Sequence, residues 1–300
     1  MYGRGRRLRE LLQRDEILVA AGAFDPLSAR LVEQAGFEAC YMTGAGTAHA
    51  LAGLPDIGLT TLTEMALNAK YMCSSVSIPV VADADTGYGN AINVIRTVRE
   101  YEQAGLAGFH IEDQVAPKRC GHVAGKECIP LDEMVGKIRA AVAARRDPST
   151  VVIARIDARQ PLGYDEAVKR GRELTKAGAD LIFIEALESR DEFVDYAKQV
   201  DTLLLANMTE FGKTPYMTAA ELQSMGYKMV IFAASSLRVA LKSMQDFYRD
   251  LKRDGTQQGW LDRMLKREEL YELIDYKQYT EFEREFLGQA VDPLADRVKR

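Results

Sequence analysis

The sequence predicts a (β/α)8 barrel with additional C-terminal helices. Three observations carry this: eight short apolar runs, a helix-spaced stretch after each, and polar residues gathered where each run ends. The runs fall at about 17–22, 38–43, 79–84, 108–112, 151–156, 181–185, 203–207 and 229–233. Each is rich in Val, Ile, Leu and Ala without polar alternation, as expected of strands covered on both faces. The connecting stretches have helical periodicity, and several close on Ala-Gly, a helix-terminating signal. An open doubly wound sheet is disfavoured, because no G-x-G-x-x-G follows the first strand and the count reaches eight.

Taken in order, LREL near the start reads as a short basic amphipathic helix rather than a targeting segment, because no apolar stretch of signal-peptide length follows it. After the eighth strand, 237–253 reads as one helix and 257–287 as two or three more, surplus to one barrel unit. With no Pro/Gly/Ser-rich linker to divide it, the chain is expected to form a single domain over 1–300, barrel about 10–250 and helical extension about 251–290. The chain has 300 residues, 47% hydrophobic and 28% charged, with a formal net charge of -5. Acidity argues against nucleic-acid and membrane-surface partners, and no apolar run has the length of a membrane span. Four cysteines without a C-x-x-C pair and only three histidines make a structural zinc site unlikely, and a reducing cytoplasm is expected.

In a barrel, the C-terminal strand ends converge on one mouth, where active sites are built. Tyr41, Thr43 and Gly44 follow the second predicted strand and Asp83 and Asp85 the third. His110, Glu112 and Asp113 close the fourth, Arg155 and Asp157 the fifth, and Glu185 the sixth. Asn207, Thr209 and Glu210 close the seventh, and Ser235, Ser236 and Arg238 follow the eighth. One charged residue after a strand is usually a cap or a solvated side chain. Seven consecutive strands with this pattern describe a site. Asp83, Asp85, Glu112 and Glu185 in one cavity would repel, so either they are protonated or a cation sits among them. All-oxygen donors point to a hard ion, Mg2+ with Mn2+ as the alternative. The plainer reading is that Asp83 or Asp85 caps the next helix. Lys118, Arg119, Arg155, Arg238 and Arg267 are candidate cations for a substrate with several carboxylates. The long segment VAPKRCGHVAGKECIP has the composition of a lid, and Cys120 lies within it beside Lys118, Arg119 and His122.

PKRCGH, with DADTGYG before it and ARIDA, LANMTEFGKTP and REELYELIDY after it, resembles the methylisocitrate lyase branch of the isocitrate lyase and phosphoenolpyruvate mutase superfamily. The resemblance runs from AGAFDPLSARL to about residue 287. It implies a barrel whose last helix is exchanged between subunits of a homotetramer, a dimer of dimers. It further implies Mg2+ at Asp83 and Asp85, with Glu112 in the outer shell. Catalytic roles would fall to Cys120 as the final acid, with Lys118, Arg119 and His122 beside it. Thr43, Gly44, Ala45, Gly121, Arg155, Glu185, Asn207, Met208, Thr209, Arg238 and Arg267 would contact a small carboxylate substrate, with Tyr41 and Asp56 as candidates for the hydroxyl base. The implied reaction is cleavage of 2-methylisocitrate to pyruvate and succinate. Dimethylmalate lyase is the nearer alternative, and a phosphonomutase or an oxaloacetate-type hydrolase the farther. Three segments depart from the family pattern: Thr43-Gly44-Ala45 for Ser-Gly-Gly or Ser-Gly-Ala, Ile156 where Thr is usual, and Phe232-Ala233-Ala234 for the usual Tyr-Pro. Ile156 is expected to remove a hydroxyl near the site. Arg267 favours a third carboxylate, since relatives acting on smaller acids generally lack it.

Overall fold

The computed structural model describes residues 3–123 and 125–288. Eight parallel strands close into a barrel in sequence order, with the first hydrogen-bonded to both the second and the eighth. In chain order the elements are α1 (Arg4–Leu12), β1 (Leu18–Ala23), α2 (Pro26–Gln34), β2 (Ala39–Met42), α3 (Gly44–Ala52), α4 (Leu62–Ser75), β3 (Val80–Asp83), α5 (Ala91–Ala104) and β4 (Gly108–Glu112). There follow α6 (Leu131–Ala144), β5 (Val151–Ile156), α7 (Arg159–Leu162), α8 (Tyr164–Lys176), β6 (Leu181–Ile184), α9 (Arg190–Gln199), β7 (Leu203–Asn207), α10 (Ala219–Ser224) and β8 (Met229–Phe232). The chain then forms α11 (Ser235–Asp254), a 3-10 turn (Gln258–Arg263), α12 (Arg267–Leu273) and α13 (Tyr276–Leu287).

Each strand sends alternate side chains to opposite faces, and the two faces build two cores. Outward residues such as Val80, Ala82, Ile111, Ala154, Ile156 and Ile182 pack beneath the surrounding helices. Inward residues such as Leu18, Ala20, Tyr41, Val81, Ile153, Phe183, Leu205 and Ile231 fill the barrel. Leu8, Leu11 and Leu12 of α1 belong to that interior cluster and are almost fully buried. The basic N-terminal helix is therefore a plug at the end of the barrel where the strands begin.

The same inward alternation continues upward as polar side chains. Asp83 is two residues beyond Val81, Arg155 two beyond Ile153, and Asn207 two beyond Leu205; Glu185 stands two beyond Phe183, just after β6. Thus this polar layer is the top layer of the barrel filling. Ile156 has the other parity and lies buried among the outward residues. The expectation that it strips a hydroxyl from the site is corrected, because its side chain faces the helices.

By contacts the chain divides into two compact units, 1–238 and 239–300. The first holds the whole barrel. The second contains most of α11, the 3-10 turn, α12 and α13. Within it Trp260 packs edge-on against Phe247 and donates its indole N–H to Asp250.

Candidate active site

The β3–α5 turn sets the first pair of carboxylates. Asp85 adopts a left-handed backbone conformation (φ 44°), and its N–H donates to Asp83 Oδ1 at 2.8 Å. Asp83 thus braces its own turn. Asn90, rather than either aspartate, caps α5, so the plainer reading of DADTGYGN does not hold. Tyr101 donates to the Asp83 carbonyl at 2.8 Å and fixes the strand end from outside. Opposite it, the first turn of α3 presses down. A Cβ added to Gly44 would stand 2.3 Å from Asp83 Oδ2, so only glycine fits there. Thr43 caps this helix through the Gly46 N–H, and Ala45 lies in its first turn. Such a helix start favours bound carboxylates.

Arg155 is the hub of the remaining charges. Its guanidinium reaches Asp157 at 2.9 Å, Glu112 at 3.2 Å and Glu185 at 3.4 Å, and lies over the Phe183 ring. Asn207 donates to Glu185 at 3.2 Å. Below, the Tyr41 hydroxyl and His110 Nε2 are 2.8 Å apart, and His110 Nδ1 lies 3.7 Å from Asp83. Burial, with Asp83 nearby, pushes the Tyr41 phenol well up, while burial pushes His110 down to about 4.

The segment between β4 and α6 is a flap with an anchored stem. Gln114 and Cys128 bridge in antiparallel fashion, Val115 donates to Glu127, and the Gln114 side chain bonds Arg119 at both its N–H and its carbonyl. The flap is folded inward. A Cβ on Gly121 would meet Glu185 at 2.5 Å and Arg155 at 2.7 Å. Lys126, which sequence reasoning missed, is buried beneath it, bonded to the Gly121 carbonyl and to Asp157 Oδ1 at 2.9 Å. His122 Nδ1 accepts from the Lys213 N–H at 3.1 Å, and Nε2 lies 2.9 Å from Glu185 Oε1. Both ring nitrogens face protein groups. Lys118 bridges Asp56 and Asp85, the latter at 2.9 Å. A cavity of about 560 Å³, lined by Thr61, Thr86, Tyr88, Asn93 and others, opens beside Asp85 and Lys118.

Cys120 is accessible to solvent beside this cluster. The protein crowding round it nevertheless holds the thiol above its ordinary value, and the His122 N–H and Arg155 only partly offset that. Free cysteines 40 and 73 are buried, where desolvation pushes both up to about 12.

Not every expected residue joins the cluster. The Arg119 side chain is exposed. Arg238 is half-exposed at the rim, 3.4 Å from Glu210 and over Phe211. Met208 is buried and Thr209 half-buried after β7. Arg267 is exposed at the first position of α12, in the second unit.

The donor set suits a hydrated hard cation. Asp85 Oδ1 and Glu112 Oε2 have only ion-pair contacts, to Lys118 and Arg155, and with Glu112 Oε1 they are buried without a hydrogen bond of good geometry. Burial, reinforced by Asp83, pushes Asp85 up to about 6, and burial raises Glu112 well above the carboxylate range although Arg155 opposes it. Such electron-rich, under-satisfied oxygens are what a divalent ion would relieve. Among the described residues no three His, Cys, Asp or Glu side chains form a ligand cage. Mg2+ typically uses one or two carboxylates and completes its shell with water and substrate.

A family model described as phosphoenolpyruvate phosphomutase matches residues 8–252. The chain belongs to that family. The 2-methylisocitrate lyase of Aeropyrum pernix is 48% identical over 288 residues, 96% of this chain and 92% of its own. A crystal structure of 2,3-dimethylmalate lyase, described as a member of the PEP mutase/isocitrate lyase superfamily, superposes with a TM-score of 0.91 at 42% identity, covering 97% of this chain and 99% of that one. A phosphonopyruvate hydrolase solved with oxalate and Mg2+ superposes with a TM-score of 0.86 at 32% identity, covering 95% and 99%. Within the phosphoenolpyruvate phosphomutase family, this chain is a carbon–carbon lyase.

Proposed function

We propose that this lyase cleaves a 2-hydroxy tricarboxylate, 2-methylisocitrate, to pyruvate and succinate with Mg2+. The observation that carries the reading is the thiol of Cys120 on a flap whose next residue, Gly121, is seated on Arg155 and Glu185. By the family resemblance, a cysteine in this motif marks the lyases rather than the phosphonomutases, which favours a reaction that ends in protonation of carbon.

Asp83 and Asp85 would hold the cation, with Glu112 in the outer shell; bound there, it would acidify the substrate hydroxyl and polarise the forming carbonyl. The hydroxyl proton leaves to a base. Tyr41 keeps its own proton because its phenol is held so high, which leaves Asp56, beside Lys118. The C–C bond then breaks, the oxygen lone pair closing the new ketone while the bond's electron pair passes to the departing carbon. The first turn of α3 and Arg155 stabilise the charge on the carboxylates of that fragment. Cys120 gives its S–H proton to the carbanion. A raised thiol suits this role, because an acid must hold its proton at neutral pH.

The test is keto-acid release, coupled to lactate dehydrogenase, from 2-methylisocitrate, isocitrate and dimethylmalate. Turnover should be highest with the first, require Mg2+ or Mn2+, and vanish with chelation. Cys120→Ser should lower kcat by about 10²–10⁴-fold with KM little changed; equal activity in the variant would exclude the thiol as the acid. A 2,3-dimethylmalate lyase is the second reading, favoured by the likeness to that enzyme's structure. Preference for the larger acid rests on Arg267, and Arg267→Ala should weaken 2-methylisocitrate far more than dimethylmalate.

We place the chain in the cytoplasm as a homotetramer with exchanged terminal helices. Support comes from apolar side chains left exposed in the second unit, among them Tyr279, Phe282, Phe286 and Leu287. Among the described residues no helix is long and apolar enough to cross a membrane.

A further inference from the structure

At the opposite pole of the barrel, two adjoining cavities of about 270 and 390 Å³ share Arg146 and Asp147. The first is also lined by Arg4 and Arg99, the second by Arg6. The geometry points to a binding site here for a small polyanion carrying two or more linked phosphoryl groups. Nothing in the lyase chemistry uses this pole, since the reacting groups all stand at the other ends of the strands.

The argument is one of unspent charge. The two acids lining the cavities are already satisfied. Glu102 accepts from the N–H groups of Arg146 and Asp147 and from the Thr150 hydroxyl. Asp147 accepts from the N–H and the hydroxyl of Ser149, which hold its carboxyl below the usual range. The arginines are not satisfied. The side chains of Arg6, Arg99 and Arg146 make no hydrogen bond or close ion pair among the described residues, although the charge of Arg6 acts on Asp147, whereas neighbouring Arg9 and Arg145 both pair with Asp180. Arg4 bonds the Val76 carbonyl and is half-buried.

Three guanidiniums without a hydrogen bond or close ion pair stand around one concave surface on a chain of net charge -5. Left unpaired, they set a local positive field against an acidic background, which attracts anions. Guanidinium forks match phosphate oxygens in pairs. Two joined cavities with Arg146 between them fit a ligand whose charges are strung along a short chain rather than concentrated at one point.

The experiment is calorimetric titration of the full-length protein, without added metal, with inorganic tripolyphosphate and with citrate. Tripolyphosphate is expected to bind saturably at one site per chain, at least ten-fold more tightly than citrate. The Arg99→Ser/Arg146→Ser double variant should lose at least ten-fold in that affinity, with thermal midpoint and lyase turnover unchanged because neither residue touches the mouth. Unchanged affinity in the double variant would place the anion elsewhere and overturn the proposal. Citrate binding as tightly would overturn the phosphoryl assignment, and absence of saturable binding would reduce the pole to a solvated basic face.

Discussion

Asp157 carries more of the site than its place in the sequence suggests. It is fully buried, and burial alone would raise its pKa. Arg155 and Lys126, both in direct contact, more than reverse this and hold it well below the usual carboxylate range. A carboxyl depressed on folding adds stability above its unfolded value near 4, and that stability is lost as pH falls toward the folded value. Urea midpoints should therefore drop between about pH 5 and pH 2. Asp157→Asn should be less stable at pH 7 and should flatten that dependence; an unchanged slope would mean that the pair contributes nothing. Cys120 gives the complementary measurement. Since its thiol is held high, iodoacetamide alkylation at pH 7 should be slow and should accelerate only above the ordinary thiol value of about 8.5. A thiolate at neutral pH would remove the acid from the mechanism.

The flap and the plug are the informative elements. The flap has little apolar surface of its own, so its closed position depends on a few polar ties, of which Lys126 to Asp157 and the Gly121 carbonyl is the most buried. Lys126→Met leaves Asp157 and the carbonyl short of a buried partner, a change of about 3–5 kcal/mol. The expected result is a raised KM, a lower kcat and faster proteolysis within 115–127. Unaltered proteolysis would show that the tie does not hold the flap. The plug, α1, contributes Leu8, Leu11 and Leu12 to the barrel interior. Leu11→Ala should cost about 2–5 kcal/mol by cavity formation, read as a lower thermal midpoint with no change in KM. The helix was legible as an element, but LREL offered no hint that it enters the barrel, because its apolar stripe is as short as that of a surface helix.

At the scale of the molecule, the barrel separates stability from chemistry along one axis. Apolar layers and α1 fill the lower part, and the same inward positions turn polar at the mouth. The second unit exposes large aromatic side chains. If those faces bury one another in the proposed tetramer, Phe282→Glu with Phe286→Glu should shift sedimentation toward smaller species while the barrel stays folded. Unchanged sedimentation would assign any assembly to other surfaces.

By itself the sequence determined the eight strands, their order, and the set of polar residues at their ends, because strand and helix periodicities are local and β/α connections leave few topologies. It also supplied Asp83, Asp85, Glu112, Arg155 and Glu185 as groups converging on one cavity, since the barrel's geometry follows from counting strands. Only the tertiary structure decided which of them touch. Lys126 was passed over because an isolated lysine between Gly125 and Glu127 carries no local mark of burial. Arg119 was included because it adjoins Lys118, although neighbours in an irregular loop can point in opposite directions. Ile156 was placed on the wrong face because the parity of a strand is fixed by its register with the partner strands, not by its own residues. Contact between side chains far apart in sequence is a property of packing, and no local pattern encodes it.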